Sequence, residues 1–309
     1  MDEYQIKKIT NKDFDLLISL MKDSFGMDVN IDYFKWKFTQ NPAGEFIGFI
    51  ALHLETNVVA AYYGVIPEKY ILNNSIITLY QSCDTMTHSN HRRKGLFKKL
   101  ANYCYNDLRN SDNLNVFGFG GQTSTPGFLK MGWEINTYFK YYFIPRLLCY
   151  NLYNSKSIEY EAVKNNHLQY LCKLKNTSNT NLYKLTDLEF LTWKFSNPLY
   201  EYKAITHSVN DEIKCLAIFK FYDQKIEIVH LDNNEYTKFI IQNLKKLVIQ
   251  ENLKGIIYLS LDNLSINKLG FINNPFKFGP LSTKIPFITF LNNIKNYKWV
   301  PSIIEHDAI

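Results

Sequence analysis

The segment Asn30-Ile31-Asp32-Tyr33-Phe34-Lys35-Trp36-Lys37-Phe38-Thr39-Gln40-Asn41-Pro42 returns later in the chain as Asp187-Leu188-Glu189-Phe190-Leu191-Thr192-Trp193-Lys194-Phe195-Ser196-Asn197-Pro198. Each copy opens on a residue suited to cap a helix. Each stops at an Asn-Pro, where the proline ring bars the preceding residue from helical backbone. A chain built this way is constrained to fold as two related halves, and the segments that follow match in kind. In the first half, strand-like runs at Phe46–Leu54 and Val58–Ile66 flank the turn Glu55-Thr56-Asn57, and a third strand starts near Ile76. In the second, Lys203–Ser208 and Lys214–Tyr222 flank Asn210-Asp211, and a third strand runs from Lys225 to Leu231.

The third strand of the first half leads into Cys83-Asp84-Thr85-Met86-Thr87-His88-Ser89-Asn90-His91-Arg92-Arg93-Lys94-Gly95-Leu96-Phe97. A turn that feeds a helix N-terminus aims several backbone N–H groups at one place. The helix dipole adds partial positive charge there, and Arg92, Arg93 and Lys94 add full charges. That combination suits a diphosphate, and Gly95 lets the backbone come close to it. Leu96, Leu100, Cys104 and Leu108 then recur at helical spacing to about Arg109. A short buried-type strand follows at Asn115–Phe119, then a loop and short helix over Gln122–Lys130 that closes on Met131-Gly132-Trp133.

The second half carries the same order: a helix over Tyr236–Asn252, with Phe239, Ile240, Leu244, Leu247 and Val248 as its apolar face, a strand over Gly255–Leu259, and Leu269-Gly270-Phe271. Trp36 and Trp193 lie 157 positions apart, but Gly132 and Gly270 only 138, so the second copy is shorter by 19. It also lacks the basic turn. Asp232-Asn233-Asn234-Glu235 stands there instead, and acidic residues repel a diphosphate. The Trp-Lys-Phe motif survives where the basic turn is lost, which marks Trp36 and Trp193 as packing anchors. Tyr62-Tyr63 and Tyr141-Tyr142-Phe143 read mainly as core.

Strand, basic turn, helix, strand, short helix and Gly-aromatic ending resemble the acyl-CoA core of the GNAT superfamily of N-acetyltransferases. The superfamily's Q/R-x-x-G-x-G/A turn is matched by Arg92-Arg93-Lys94-Gly95-Leu96-Phe97 in its first four positions and not in the sixth, where Phe97 replaces a small residue. The later Tyr-x-x-x-Gly-Phe segment is matched by Phe128-Leu129-Lys130-Met131-Gly132-Trp133, with Phe128 in place of the tyrosine that protonates the leaving thiolate.

The resemblance implies an α/β fold of two tandem GNAT-like halves, each a mixed, mostly antiparallel sheet flanked by helices. It implies an acyl-CoA-binding domain at residues 1–150 and, at 151–309, a degenerate copy walling the acceptor site. Thr85, Met86 and Thr87 would pair with the pantetheine amides, and Arg92, Arg93, Lys94, Gly95, Leu96 and Phe97 would hold the diphosphate. Ser124 and Phe128 would line the cofactor site. The Trp-Lys-Phe helix, the Asp-Thr-Met-Thr-His segment and the Gly-Leu-Phe turn look like those of sugar N-acyltransferases of surface-polysaccharide (O-antigen) pathways. Those enzymes acylate the amine of a dTDP-linked 3-amino-3,6-dideoxyhexose from acetyl-CoA or 3-hydroxybutanoyl-CoA. Two rivals are an aminoacyl-tRNA-dependent transferase and a non-catalytic acyl-CoA sensor.

Asp84 and His88 lie beside the expected thioester and are the candidate bases. Asp84 reads equally as a buried carboxylate tying down the turn, and His88 as a water-exposed turn residue. Other chemistries find no footing. There is no G-x-x-x-x-G-K-[ST], G-x-S-x-G or H-E-x-x-H, and no C-x-x-C pair among the five cysteines, so neither a metal site nor a disulfide framework is expected. The net charge of +6 is scattered, without the basic block of a nucleic-acid-binding face. No apolar run is long enough for a bilayer, and Met1-Asp2-Glu3-Tyr4-Gln5 lacks the order of a signal peptide, which points to a cytoplasmic protein.

Overall fold

In this computed structural model the described residues are 3–152, 157–174, 182–261, 267–273, 284–292, 294, 299, 301 and 304. In chain order the elements begin with β1 (Tyr4–Lys8), α1 (Asp15–Phe25), α2 (Ile31–Phe34), β2 (Ile47–His53), β3 (Val59–Leu72), β4 (Ser75–Thr87), α3 (Leu96–Asn110), β5 (Asn115–Phe119), α4 (Thr125–Lys130) and β6 (Glu134–Pro145). They continue with β7 (Glu161–Ala162), α5 (Asn165–Lys173), β8 (Leu182–Lys184), α6 (Leu188–Phe195), β9 (Lys203–Val209), β10 (Glu212–Tyr222), β11 (Lys225–Leu231), α7 (Thr237–Gln250), β12 (Gly255–Leu261), β13 (Ile272–Asn273) and β14 (Ile285–Leu291). No helix of the described residues is long and apolar enough to cross a membrane.

The chain forms two compact units, neither a single stretch of sequence. One comprises Met1–Asn136, Asn176–Leu199 and Pro286–Pro301; the other comprises Thr137–Lys175, Tyr200–Ile285 and Ser302–Ile309. In the first unit the strands run in the order β1-β2-β3-β4-β5-β14, antiparallel throughout except for the parallel pair β4–β5, with β8 on β3. β3 extends past the sequence expectation, through Pro67 to Leu72. Its hairpin to β4 turns on Asn73 and Asn74 at φ +48° and +66°, the left-handed pair that a two-residue hairpin loop requires. α3 lays Leu96, Leu100, Ala101, Cys104, Tyr105 and Leu108 on this sheet, into a core with Tyr63, Val65, Val116, Phe128 and Trp133.

The repeated helix forms in both copies as its caps predict. The Asn30 side chain accepts from the N–H groups of Asp32 (2.9 Å) and Tyr33 (3.3 Å), and that of Asp187 from Phe190 (2.8 Å). In the first copy α2 passes at once into a π-helical turn over Lys35–Thr39, closed by Gln40 N–H to Lys35 C=O at 3.0 Å. Trp36 and Trp193 are packing anchors of an unexpected kind. Both lie in the first unit, their rings stack at 5.3 Å and 17°, and each indole N–H donates to the other's backbone carbonyl at 2.7 Å.

In the second unit the strand order is β6-β12-β11-β10-β9-β7, with β13 also on β6; β11–β12 is the parallel pair. α7 buries Ile240, Ile241, Leu244, Leu247 and Val248 against Ile226, Ile228 and Ile256. Phe239, expected on the apolar face, is 46% exposed, so that stripe is centred one residue later.

Candidate active site

The site starts from a break in β4. Met86 pairs with Tyr62 and Cys83 with Gly64, so Asp84 and Thr85 together face the single residue Tyr63. This is a β-bulge, and Asp84 takes the left-handed backbone it needs at φ +47°. On the other side of β4, the parallel ladder to β5 runs through Tyr80–Val116, Gln81–Phe117 and Ser82–Gly118 and, among the described residues, ends there. The strand from Thr85 to Thr87 therefore lies beyond the β4–β5 ladder.

The Asp84 carboxylate is not in water. Its Oδ2 lies 2.7 Å from Nζ of Lys37, whose side chain is 1% exposed, and the same ammonium donates to the Tyr33 hydroxyl at 3.0 Å. Tyr62 completes this pocket. Its ring fills the space over two glycines, since a Cβ on Gly48 would meet it at 3.0 Å and one on Gly64 would meet its hydroxyl at 2.0 Å. Burial, then the neighbouring Cys83 and Asp84, push the Tyr62 phenol well above its ordinary value, so it stays neutral. Its buried hydroxyl has no hydrogen-bond partner among the described residues.

Beyond β4 the chain is tied to α1. Ser89 donates to the Asp23 carboxylate from its N–H (2.7 Å) and its hydroxyl (2.8 Å). Burial pushes the Asp23 carboxyl up, but these bonds and the charges of His88 and Arg92 prevail and hold it below the usual range. His88 caps the short turn Ser89–His91. Its Nδ1 accepts from Asn90 N–H at 3.2 Å, which leaves the proton of the neutral ring on Nε2, 3.9 Å from Asp23. Asp84 and His88, near in sequence, are thus tied to different helices.

Arg92, Arg93, Lys94 and Gly95 are exposed at the N-terminus of α3. Gly95 sits at φ +76°, no side chain caps the helix, and a Cβ at Gly95 would meet nothing within 4 Å. The first N–H groups of a fifteen-residue helix therefore have no side-chain cap and follow directly on Arg92, Arg93, Lys94 and Gly95 in the chain. Arg92 Nε reaches back to Thr87 C=O at 3.4 Å, and Lys94 pairs with Glu3 at 2.5 Å. Leu96 and Phe128 are buried and Phe97 half-buried. Phe97 and Phe128 meet edge to face at 4.9 Å, and the Phe97 ring occupies the space above Gly127. Of these three residues, Leu96 and Phe97 present backbone N–H groups to the turn, and Phe128 packs in the core. Ser124 Oγ accepts from Gly121 N–H at 3.1 Å in the loop before α4.

The matching turn in the second unit has satisfied itself. The Asp232 carboxylate accepts from Leu216 N–H (2.8 Å), the Tyr170 hydroxyl (2.6 Å) and His230 Nε2 (2.8 Å), while Thr237 donates to Asp232 C=O (2.6 Å). Burial raises the Asp232 carboxyl, but its partners, His230 foremost, bring it below the ordinary value. The anion of this turn is the chain's own carboxylate.

Residues 5–136 match the model of an acetyltransferase (GNAT) domain. That stretch is 132 of the 309 residues. It lies wholly within the first unit and contains the bulge, the basic turn and α3. No curated protein matches the chain. Among solved structures, a probable N-acyltransferase from Enterococcus faecalis V583 is 10% identical with a TM-score of 0.65, over 93% of this chain and 72% of that one. N-myristoyltransferase of Saccharomyces cerevisiae with bound myristoyl-CoA is 12% identical, TM-score 0.65, over 97% and 84%. A tandem GNAT protein from the clavulanic acid biosynthesis pathway is 10% identical, TM-score 0.60, over 94% and 98%. At such identities the likeness is one of fold, and the fold is the double GNAT architecture expected from the repeat.

The sequence reading left Lys37 out, and Tyr62, read as core, is buried as expected. For Lys37 the signal was present, a lysine inside an otherwise apolar Trp-x-Phe, but nothing in the sequence named its partner 47 residues later.

Proposed function

We propose that the protein acylates the amine of a nucleotide-linked 3-amino-3,6-dideoxyhexose, dTDP-linked by the sequence resemblance, from acetyl-CoA or a longer donor such as 3-hydroxybutanoyl-CoA. The observation that carries the donor side is the uncapped N-terminus of α3, which follows Arg92, Arg93, Lys94 and Gly95 in the chain. Those residues would hold the diphosphate, and the backbone of Thr85–Thr87 would hold the pantetheine arm. When bound, the cofactor supplies an acyl carbon activated as a thioester. N-myristoyltransferase, of like fold, carries myristoyl-CoA in its own structure. The acceptor rests on the sequence resemblance alone.

In this reading the backbone N–H groups after the Asp84 bulge stabilise negative charge developing on the acyl oxygen. The C–N bond forms as the C–S bond breaks, and the sulfur departs to become the thiol of free coenzyme A. Asp84 accepts the proton shed by the acylated nitrogen. A nitrogen that has begun to bond to the acyl carbon is far more acidic than a free ammonium ion, so a carboxylate already engaged by Lys37 is basic enough. The amine of an amino sugar, flanked by electron-withdrawing oxygens, titrates nearer an α-amino group, about 8, than a lysine, and is partly neutral before it binds. Phe128 offers no phenol to the departing sulfur, and a thiol of pKa about 8.5 needs little help.

The test is release of free thiol from several acyl-CoAs against amino sugars, nucleotide amino sugars and peptides. Release that depends on one nucleotide amino sugar supports the assignment. Release with a peptide or simple sugar amine instead overturns the acceptor, and coenzyme A binding without release for any amine favours a sensor.

A further inference from the structure

We infer that Lys37 is a positioning residue for the acyl transfer: it fixes Asp84 as a carboxylate in the β4 bulge and so sets both the proton acceptor and the N–H groups that follow it. The inference rests on the role proposed above for Asp84.

Three observations converge on it. The first is burial. A lysine 1% exposed within 2.7 Å of a carboxylate 11% exposed is an ion pair removed from water, which persists only when both charges are matched. The second is the backbone on the lysine side. Trp36, Lys37 and Phe38 are all buried in succession, which the π-helical turn Lys35–Thr39 makes room for, and π-turns recur at functional sites. The reciprocal Trp36–Trp193 bonds hold this turn from one side, while Phe38, stacked on Phe46 at 4.7 Å, holds it from the other. The third is the backbone on the acid side. Asp84 occupies a left-handed conformation that a side chain rarely adopts, at the one place where β4 breaks register. Among the described residues the groups facing the pair include Tyr33 from α2 and Tyr62 from β3, and the Tyr62 phenol is neutral.

A purely structural lysine would need none of this alignment with the bulge. If Lys37 acts through Asp84, its value depends on Asp84 being charged. The decisive comparison is therefore among wild type, Lys37→Met, Asp84→Asn and the double variant, measured by thiol release across pH with circular dichroism as the fold control. Asp84→Asn should lower kcat/KM at least about tenfold, in line with loss of a positioned proton acceptor. Lys37→Met should lower it comparably near neutral pH and move the acid limb of the profile up by about one pH unit or more, because a carboxylate without its cation protonates more readily. The double variant, which buries neither charge, should fold as wild type and be no less active than Asp84→Asn.

Lys37→Met with wild-type kcat/KM and an unmoved acid limb, alongside an impaired Asp84→Asn, overturns the role of Lys37 alone. An unimpaired Asp84→Asn overturns the reading of Asp84 first. Should Lys37→Met fail to fold, the double variant decides: a further tenfold loss beyond Asp84→Asn shows that Lys37 acts by some other route and overturns the inference.

Discussion

Replacing Trp193 by phenylalanine tests how firmly the repeated helix is anchored. The change removes the donor that meets Trp36 C=O at 2.7 Å and keeps a ring to stack on Trp36. The lost hydrogen bond is worth about 1 kcal/mol net, and a carbonyl left buried without its donor costs roughly 1–3 kcal/mol. The larger figure already includes the lost bond, so the cost is about 1–3 kcal/mol, or a fall in Tm of about 2–12 °C at the ~2–4 °C per kcal/mol of a domain this large. Trp36→Phe should cost less, about 1 kcal/mol, because the Trp193 C=O that loses this donor still accepts from the Ser196 N–H at 3.1 Å and hydroxyl at 2.8 Å. The two bonds are separate and only the stacking is shared. The double variant, which keeps a pair of rings, should therefore lose nearly the sum. Urea unfolding followed by far-ultraviolet circular dichroism measures this without relying on tryptophan emission. A cost below about 0.5 kcal/mol for either single variant would refute the reasoning, since no surface position behaves differently.

Gly95→Ala should destabilise the protein by about 1–2 kcal/mol, the cost of a left-handed alanine, because no atom crowds its Cβ; it should also weaken coenzyme A binding in a fluorescence titration, and unchanged affinity would argue against a ligand at that turn. Tyr62→Phe should raise the unfolding free energy by about 1 kcal/mol by removing a buried hydroxyl that lacks a partner, a change read by urea titration; a loss of stability would show the hydroxyl is bonded. In the second unit, burial holds the His167 imidazole below its ordinary 6.5, with Glu161 opposing. Lys164 N–H donates to its Nδ1 at 3.0 Å, so a second proton would displace that bond. Because the folded value is the lower one, stability should be full above about pH 6.5 and fall as pH drops below it, and His167→Gln should flatten that slope in pH-dependent melting.

The repeated helices, their caps and their stops were legible because helix ends are written locally, in Asn30, Asp187 and the two Asn-Pro pairs. So were α3 and the basic turn, whose signals sit in one continuous stretch. β3 runs on past Ile66 although Pro67 cannot give an N–H to a ladder, and the strand carries that proline opposite Tyr80. The Asn73-Asn74 loop lacks the glycine that usually marks such a hairpin. Neither the discontinuous make-up of the two units nor the Lys37–Asp84 pair has a local signature. Both depend on which distant segments fold together, as does the Glu3–Lys94 contact that draws one cation of the turn towards β1.

If the turn before α3 holds the diphosphate of coenzyme A as proposed, reversing the charge there must cost affinity. Calorimetric titration of coenzyme A into the wild-type protein and into Arg92→Glu/Arg93→Glu tests it most directly. The account predicts a single saturable site in the wild type and a loss of affinity of at least about tenfold in the variant, as two exposed cations at an anion site become two anions. Absence of binding to the wild type, or equal affinity in both, would contradict it.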